Sequence, residues 1–217
     1  MSEFAARRVM MVDTQVRPSD VTKFPIIAAM LAVPREVYLP RDKREAAYVG
    51  ENVDIGAGRV MLEPRTLAKM LDALDILPTE TVLDIGCGLG YSTAIIARLA
   101  EAVVAVEDND VMASDAQRSL SAEGVDNAAV VVAALHAGDA KHGPYDVITV
   151  QGGVEMVPDA LTAQLKDGGR IGAVFMEGAL GIARIGHKAN GRVTWRFAFN
   201  ATAPVLAGFS ASRAFVL

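Results

Sequence analysis

The sequence predicts an α/β fold built on a doubly wound, mostly parallel sheet with helices on both faces and an N-terminal helical extension. Two observations lead to this prediction. From residue 81 onwards, short β-branched and apolar runs alternate with amphipathic segments, and a glycine-rich turn joins the first run to the first of those segments. Alternation of strands and helices is typical of a parallel sheet that is covered on both faces.

The part of the chain before this core is predicted to be mainly helical. Residues 1 to about 47 have helical patterns interrupted by prolines, which end helices because they lack an N–H and clash with the preceding turn. Residues 50–59 hold three glycines and predict a loop or a short hairpin. A helix follows Pro64 over residues 65–74, where leucine and methionine recur at helical spacing.

The core elements follow in order and end in a hairpin. The predicted order is strand 81–85, helix 91–100, strand 102–106, helix 110–122, strand 128–133, strand 146–151, helix 158–166 and strand 170–176. Residues 180–187 and 192–199 are predicted to pair, because Asn190-Gly191 between them favours a tight hairpin turn.

The segment most informative about function is the turn after the first core strand. Gly86, Gly88 and Gly90 allow a tight turn and a close approach of the backbone to a ligand, since a Cβ would obstruct either. Asp84 precedes the turn. Glu107 ends the next strand about 20 residues further on, where doubly wound folds place the carboxylate that holds a ribose. The pattern predicts a Rossmann-like nucleotide-binding loop, with a purely structural turn as the alternative.

The acid before the glycines distinguishes between nucleotide ligands. Dinucleotide-binding loops commonly open directly on glycine, whereas Asp-x-Gly-x-Gly-x-Gly with an acid at the next strand end resembles S-adenosylmethionine-dependent methyltransferases. A sulfonium cofactor carries an ammonium group and a positive sulfur, so a nearby carboxylate attracts it. The resemblance implies S-adenosyl-L-methionine as the cofactor, bound by Asp84, Gly86, Cys87, Gly88, Gly90, Glu107 and Asp108.

Composition narrows the class of protein and its partners. The chain has 217 residues, 52% of them hydrophobic and 22% charged, which is typical of one globular domain with a full core. A net charge of −5 gives no electrostatic reason to expect nucleic acid or an anionic membrane as a partner. One cysteine, no zinc-ligand spacing and a charged start without a signal-peptide core predict a cytoplasmic protein without a metal site.

Segments on both sides of the glycine-rich loop share motifs with one enzyme family. Near the start these are Met11-Val12-Asp13-Thr14-Gln15-Val16, Val33-Pro34-Arg35-Glu36-Val37-Tyr38-Leu39-Pro40 and Ile55-Gly56-Ala57-Gly58. Further on they are Pro144-Tyr145-Asp146-Val147-Ile148 and Gln164-Leu165-Lys166-Asp167-Gly168-Gly169-Arg170. In this order they resemble the protein-L-isoaspartate O-methyltransferase family. The resemblance implies one domain over 1–217, with N-terminal helices and a substrate loop over 1–64 and a Rossmann-like core over 65–217.

The resemblance also implies a reaction and a substrate. The family transfers a methyl group to the carboxylate of an isoaspartyl residue in a damaged protein, and the ester then closes to a succinimide whose opening restores some normal aspartate. A carboxylate is already a nucleophile at neutral pH, so catalysis requires alignment and exclusion of water rather than a covalent intermediate. No residue is therefore assigned a covalent catalytic role.

The segment that aligns with the family's substrate loop departs from its pattern. The family has Thr-Ile-Ser-x-Pro, whereas this chain has Val60-Met61-Leu62-Glu63-Pro64, which lacks both hydroxyls. Glu63 adds a negative charge near the expected substrate carboxylate, which is unfavourable unless Arg59 or Arg65 compensates it. The substrate site implied by the resemblance consists of Arg59, Leu62, Glu63, Pro64 and Gln151.

A second departure concerns the end of the third core strand. The family has Gly-Asp-Gly there, whose acid contacts the cofactor near its adenine, and this chain has Ala133-Ala134-Leu135. If the alignment with the family is shifted by a few residues, Asp139 in Gly138-Asp139 takes the place of that acid. His136 and His142 on either side are interpreted as surface histidines rather than a metal site or an acid–base pair.

Two alternatives to the repair enzyme stay open at this point. Leu62 and Glu63 favour a methyltransferase with a different acceptor, a small molecule or another protein group. The missing hydroxyls and Ala134 favour a catalytically silent module that binds a ligand or a partner on the same fold. The oligomeric state is not predicted.

Overall fold

The N-terminal extension is helical, as predicted. The computed structural model describes residues 3–211, so the ends of the predicted domain, residues 1–2 and 212–217, lie outside the described residues. Helix α1 spans Glu3–Met11 and α2 spans Phe24–Ala32, with a π-helical turn at Val12–Val16 after α1. Short 3-10 turns follow at Arg35–Tyr38 and Arg41–Ala46, each directly after a proline. Proline limits the conformations of the residue before it, which explains these breaks.

A hairpin connects this extension to the core. Strands β1 (Val53–Gly56) and β2 (Arg59–Met61) pair antiparallel and form a two-stranded sheet of their own. The tip residues Ala57 and Gly58 have φ values of +52° and +70°. Helix α3 then spans Pro64–Leu74 and begins with a proline, at a position where no N–H is needed.

The core is one seven-stranded sheet. Its strands span Thr81–Ile85 (β3), Ala102–Glu107 (β4), Ala128–Val132 (β5), Tyr145–Val154 (β6), Leu165–Glu177 (β7), Leu180–Ala189 (β8) and Arg192–Asn200 (β9). The helices after α3 span Tyr91–Ile96 (α4), Asp110–Ala122 (α5) and Asp159–Thr162 (α6). The strand order is β5-β4-β3-β6-β7-β8-β9, parallel from β5 to β7 and antiparallel at the β8-β9 edge.

The strand order reverses between β3 and β6. β3 pairs with β4 on one side and with β6 on the other, and the chain builds the sheet outwards in both directions. Residues 82–85 of β3 and 147–154 of β6 are buried throughout, so the centre of the sheet is covered on both faces. The predicted α/β class with a mostly parallel sheet is confirmed. In such sheets, ligands bind outside the carboxyl ends of the strands at this reversal.

Two predicted helices are shorter in the structure. The helix predicted over 158–166 is limited to Asp159–Thr162, because β7 already begins at Leu165. Leu165 pairs with Tyr145, whose N–H donates to the Gln164 carbonyl at 2.8 Å. Pairing with a neighbouring strand overrides the local helical pattern there, and the pattern carries no information about that partner. Likewise, α4 ends at Ile96 rather than at residue 100.

The N-terminal extension packs onto the core and forms one side of the site. Met11, Val16, Met30 and Tyr38 are buried in the same apolar cluster as Leu67 of α3. This packing holds residues 33–62 close to the carboxyl ends of the central strands. Within residues 3–211, no helix is long and apolar enough to cross a bilayer.

Candidate active site

The turn after β3 is built on three glycines and is tied to β4. Gly86, Gly88 and Gly90 have φ values of +74°, +57° and +97°, and the N–H of Gly86 donates to the Val106 carbonyl at 2.8 Å. A Cβ on Gly90 would lie 3.3 Å from the Ala116 Cβ of α5. Gly90 therefore allows α5 to pack closely, whereas the other two glycines leave space above the turn.

Asp84 is fully buried and organises the region below the loop. Its Oδ2 accepts hydrogen bonds from the hydroxyls of Ser92 and Thr93 at 2.7 and 2.8 Å. Its Oδ1 accepts from the Thr149 hydroxyl and from Gln151 Nε2 at 2.7 and 2.8 Å. Burial raises the pKa of Asp84, and these hydrogen bonds oppose that rise. Because protein donors occupy both oxygens, Asp84 joins α4 to β6, and its direct contact with the cofactor stays a prediction.

Glu107 ends β4 beside the loop and is fully buried. Its Oε2 accepts the N–H of Gly88 at 2.8 Å, which fixes the carboxylate against the glycine-rich turn. Its Oε1 accepts the backbone N–H groups of Asp108 and Asn109 at 3.2 and 3.3 Å. Burial raises the pKa of Glu107, while the charge of Arg59 lowers it. The carboxylate thus lies where the sequence predicted a ribose contact.

Arg59 occupies a different place from the one predicted. Its Nη1 lies 2.8 Å from Glu107 Oε1 and 3.3 Å from Asp108 Oδ1. Its Nη2 donates to the Gly86 carbonyl at 2.7 Å, and the side chain is 8% exposed. Two protein carboxylates hold the guanidinium in this structure, and its predicted contact with a substrate carboxylate stays a prediction.

Side chains of the protein fill the space above the glycines. A Cβ on Gly86 would lie 2.6 Å from Arg59 Nη2, and a Cβ on Gly88 would lie 2.6 Å from Ile55 Cδ1. Leu206 also lies above the turn, and its Cδ1 would be 3.4 Å from the same Cβ on Gly86. The remaining cavity has a volume of about 20 Å³, roughly that of one water molecule.

The residues predicted for the acceptor divide between two cavities. Leu62 and Gln151 line the small cavity over the glycines. Glu63 lines a neighbouring open cavity of about 720 Å³. Its carboxylate accepts the Thr66 hydroxyl at 2.6 Å and lies 3.7 Å from Arg65, so its charge is partly compensated. Pro64 is buried as the first residue of α3 and lines neither cavity.

Arg35 is a site residue that the sequence argument missed. It is fully buried and donates through Nε to the Ala47 carbonyl at 2.6 Å and through Nη2 to the Leu62 carbonyl at 2.7 Å. Its guanidinium lies over the Tyr91 ring at 4.7 Å, and burial lowers its pKa. Arg35 thereby holds the substrate loop at Leu62. The Pro-Arg-Glu motif contained this signal, but a motif does not show which carbonyls an arginine binds.

The hydroxyls that hold Asp84 were also missed. Ser92 and Thr93 come directly after the loop, where hydroxyls in the first turn of a helix are a usable signal for a buried acceptor nearby. Thr149 lies within the apolar run of β6, and a lone hydroxyl in a buried strand is a second such signal.

Cys87 lies at the loop but has an unreactive thiol, whereas Asp139 lies away from the loop. Cys87 lines the small cavity, and burial raises the pKa of its thiol well above the ordinary value, so it stays protonated. Asp139 contacts His142, and its carbonyl accepts the Tyr145 hydroxyl at 2.7 Å. Tyr145 is the first residue of β6, so Asp139 lies near the amino-terminal ends of the strands, whereas the loop lies at their carboxyl ends. It does not replace the missing adenine contact.

A glycine-rich turn at the reversal of a mostly parallel sheet, with a buried acid ending the next strand, defines a Rossmann-like nucleotide-binding fold, and Asp84 before the glycines is typical of the S-adenosylmethionine-dependent methyltransferases. The profile of the Protein-L-isoaspartate(D-aspartate) O-methyltransferase (PCMT) family matches residues 8–198. The chain belongs to this family, which confirms the resemblance seen in the sequence.

Curated relatives agree with this assignment. The chain is 36% identical over 171 residues to the protein-L-isoaspartate O-methyltransferase of Syntrophus aciditrophicus (strain SB), covering 79% of this chain and 78% of that relative. It is 37% identical over 175 residues to protein-L-isoaspartate O-methyltransferase 1 of Rhodopseudomonas palustris (strain HaA2), covering 78% and 69%.

Solved structures share the fold. One protein-L-isoaspartate O-methyltransferase superposes with a TM-score of 0.81 at 25% identity, over 93% of this chain and 66% of that one. A β-aspartate methyltransferase of Plasmodium falciparum in complex with S-adenosyl-L-homocysteine superposes with a TM-score of 0.79 at 18% identity, over 95% and 99%. The second similarity extends to the fold alone.

The residues of the loop fit the cofactor that the family uses. Gly86 and Gly88 form a cradle that a Cβ would fill, and Glu107 presents a carboxylate at its side. Arg59 and Ile55 occupy the space directly above this cradle. The fixed part of the site fits S-adenosylmethionine.

Proposed function

We propose that this chain transfers a methyl group from S-adenosyl-L-methionine to the side carboxylate of isoaspartyl residues in damaged proteins. The observation that carries the proposal is the family match over residues 8–198, combined with a glycine-rich loop that has Glu107 hydrogen-bonded to its backbone. In the proposed site, Gly86, Gly88 and Glu107 bind the cofactor, and Asp84 acts indirectly by holding Ser92 and Gln151 in place.

The proposed reaction needs positioning rather than a protein nucleophile. The acceptor carboxylate oxygen forms a bond to the methyl carbon while the carbon–sulfur bond breaks and its electron pair stays on sulfur. When bound, the cofactor supplies that electrophilic methyl group. Leu62 excludes water from the cavity, and a carboxylate stripped of water is the more reactive nucleophile. Arg35 fixes the Leu62 backbone, so it is a positioning residue.

The larger cavity is the proposed site for the polypeptide around the acceptor. Its volume of about 720 Å³ suits several residues of an extended chain. Leu180 and Ile182 supply an apolar wall, and Asn200 supplies a side-chain amide for the backbone of a peptide. The cavity adjoins Glu63, the residue after Leu62, so a peptide there lies next to the cofactor loop.

The setting proposed for this reaction is cytoplasmic, with polypeptide rather than nucleic acid as the partner. A net charge of −5 supports this choice, because a nucleic acid would be repelled overall. The single cysteine, which is buried, fits a reducing compartment.

Transfer of a labelled methyl group tests the acceptor. The protein is incubated with labelled S-adenosyl-L-methionine and either an isoaspartyl peptide or the same peptide with a normal aspartyl residue. The proposal predicts labelled methanol only from the isoaspartyl peptide, because its ester hydrolyses through a succinimide. Equal label in both peptides, or none in either, contradicts it.

A second candidate is a methyltransferase with a different acceptor. The observation in its favour is that Leu62 places no hydroxyl in the small cavity and Glu63 puts a carboxylate on the wall of the larger one. Such a wall attracts an amine more than a carboxylate. Labelled transfer to lysine-containing peptides, with none to the isoaspartyl peptide, identifies this second function.

A further inference from the structure

The hairpin of β1 and β2 carries a cation into the place that the cofactor's ribose needs. Arg59 Nη1 lies 2.8 Å from Glu107 Oε1, the carboxylate expected to hold the ribose hydroxyls. The same guanidinium lies against Gly86, on the surface that glycine leaves open. Arg59 and backbone N–H groups already occupy both oxygens of Glu107, so Arg59 competes with a ribose for this carboxylate.

We propose that Arg59 is an intramolecular competitor of the cofactor, and that the hairpin must open for S-adenosylmethionine to bind. The inference rests on the proposed function, because it concerns the cofactor of the same site. In the closed form, Arg59 neutralises Glu107 and Ile55 covers Gly88. In the open form, both residues leave and the glycine-rich turn accepts the nucleoside.

The hairpin is attached to the core by side-chain packing rather than by strand pairing. Within residues 3–211 it forms its own two-stranded sheet, and Val53, Ile55 and Met61 pack into the main apolar cluster. Its tip is exposed and has positive φ at Gly56, Ala57 and Gly58. Its base is anchored, since the Glu63 N–H donates to Asn52 Oδ1 at 2.8 Å and Asn52 donates to the Thr202 carbonyl at 2.8 Å. With an anchored base and an exposed tip, the hairpin has the form of a hinged flap.

The contacts of Arg59 favour the closed form. A buried carboxylate needs a counter-ion or several hydrogen bonds, and Glu107 receives both from Arg59 and the loop. Opening exposes Glu107 and separates the pair, so the open form is a minor population. The apparent affinity of a ligand falls by the fraction of protein that can bind it. If the open form is about 1–10% populated, the affinity is lowered by about 10- to 100-fold.

Calorimetry with S-adenosyl-L-homocysteine measures this competition without any acceptor or turnover. Arg59→Ala removes the competing guanidinium, and Arg59→Gln keeps a polar side chain in case the first variant does not fold. Arg192→Gln is the matched control, since it removes an exposed positive charge at the start of β9, away from the glycine-rich loop. We expect both Arg59 variants to bind at least about tenfold more tightly than the wild type, and the control to bind equally.

A stability measurement on the same proteins gives an independent readout. Without ligand, the Arg59 variants should melt at a lower temperature than the wild type, because Glu107 loses its partner. Saturating S-adenosyl-L-homocysteine should then raise their melting temperature by more than it raises that of the wild type.

These measurements decide the role of Arg59 independently of which acceptor the protein methylates. Arg59 variants that bind S-adenosyl-L-homocysteine as weakly as the wild type, more weakly, or not at all overturn the proposal, because Arg59 would then be neutral or part of the ligand site. Failure to release methanol from isoaspartyl peptides contradicts the proposed function and leaves this binding result unchanged.

Discussion

Arg59 and Glu107 form a buried ion pair that joins the β1-β2 hairpin to the end of β4. The Nη1–Oε1 distance is 2.8 Å, and the side chains are 8% and 0% exposed. The pair has a structural role, since it closes the hairpin over the glycine-rich loop. It also has a proposed functional role, because it uses the carboxylate that is predicted to hold a ribose.

The coupling between Arg59 and Glu107 is measurable without ligand. In a cycle of Arg59→Met, Glu107→Gln and the double variant, we expect a coupling of about 1–3 kcal/mol in the free energy of unfolding, because each single variant leaves one buried group without its partner. Urea unfolding at neutral pH gives the four values. The exposed pair Arg118 and Asp115, also 2.8 Å apart, should give below about 0.5 kcal/mol. Equal coupling in the two cycles would disprove the special status of the buried pair.

Asp84 is expected to act on stability as well as on binding. Asp84→Ala leaves four buried donors without an acceptor, so it should lower the free energy of unfolding by about 2–4 kcal/mol. Urea denaturation measures this, with exposed Asp126→Ala as a control that should change it by less than about 0.5 kcal/mol. A loss no larger than that of the control would mean that the four hydrogen bonds contribute nothing.

Alanine substitutions at Gly90 and Gly124 distinguish the energetic cost of backbone strain from that of a packing clash. Both have positive φ, but a Cβ on Gly90 would lie 3.3 Å from Ala116, while among residues 3–211 no atom beyond its chain neighbours lies within 4 Å of one on Gly124. We expect Gly124→Ala to destabilise by about 1 kcal/mol and Gly90→Ala by about 2–3 kcal/mol, since only the second adds a clash with α5. Thermal unfolding followed by circular dichroism compares them. Equal losses would assign the whole effect to the backbone.

The pair of Glu80 and Arg170 gives the protein an acid-sensitive contact. Burial raises the pKa of Glu80, but hydrogen bonds from Arg170 at 2.7 Å and from the Leu77 N–H at 2.8 Å bring it below its ordinary value of 4.5. A carboxyl with a lowered pKa in the folded state stabilises the fold above its unfolded pKa, and this stability is lost as the pH falls through the folded pKa.

Glu80→Gln tests that pH dependence. The variant should be less stable than the wild type by about 1.5–3 kcal/mol near pH 6, and the difference should shrink as the pH falls to about 3. Urea unfolding across this range provides the comparison. A difference that stays constant with pH would show that the Glu80 charge is not the source of the stabilisation.

Leu62→Ser tests whether the missing hydroxyl limits isoaspartyl methylation. The side chain is 4% exposed in the small cavity, so its shortening should lower the free energy of unfolding by about 2–4 kcal/mol. A new hydrogen bond to the acceptor carboxylate is worth about 1 kcal/mol, or about fivefold in rate. Methanol release from an isoaspartyl peptide measures the gain. Leu62→Ala is the control, because it opens the same space without a hydroxyl, and equal rates for the two would exclude the hydroxyl as the limiting feature.

Much of the fold follows from local patterns in the sequence. The elements from β3 to β5 lie where periodicity predicts them, except that α4 ends at Ile96 rather than at residue 100, and Asn190-Gly191 forms the turn between β8 and β9. These features depend on neighbouring residues, so a linear pattern contains them. The helix predicted over 158–166 was wrong beyond residue 162, because β7 takes its first residues for pairing with β6.

The candidate site likewise has one part that the sequence predicts and one part that it does not. The sequence by itself determined the glycine-rich turn, Asp84 before it and Glu107 after it, since each lies at a strand end that periodicity marks. Only the tertiary structure decided that Arg59, which is 48 positions before Glu107, closes over that turn and that Arg35 holds Leu62 from 27 positions away. Such contacts depend on how a hairpin and an N-terminal extension pack on a sheet, and no spacing along the chain encodes which buried carboxylate an arginine will reach.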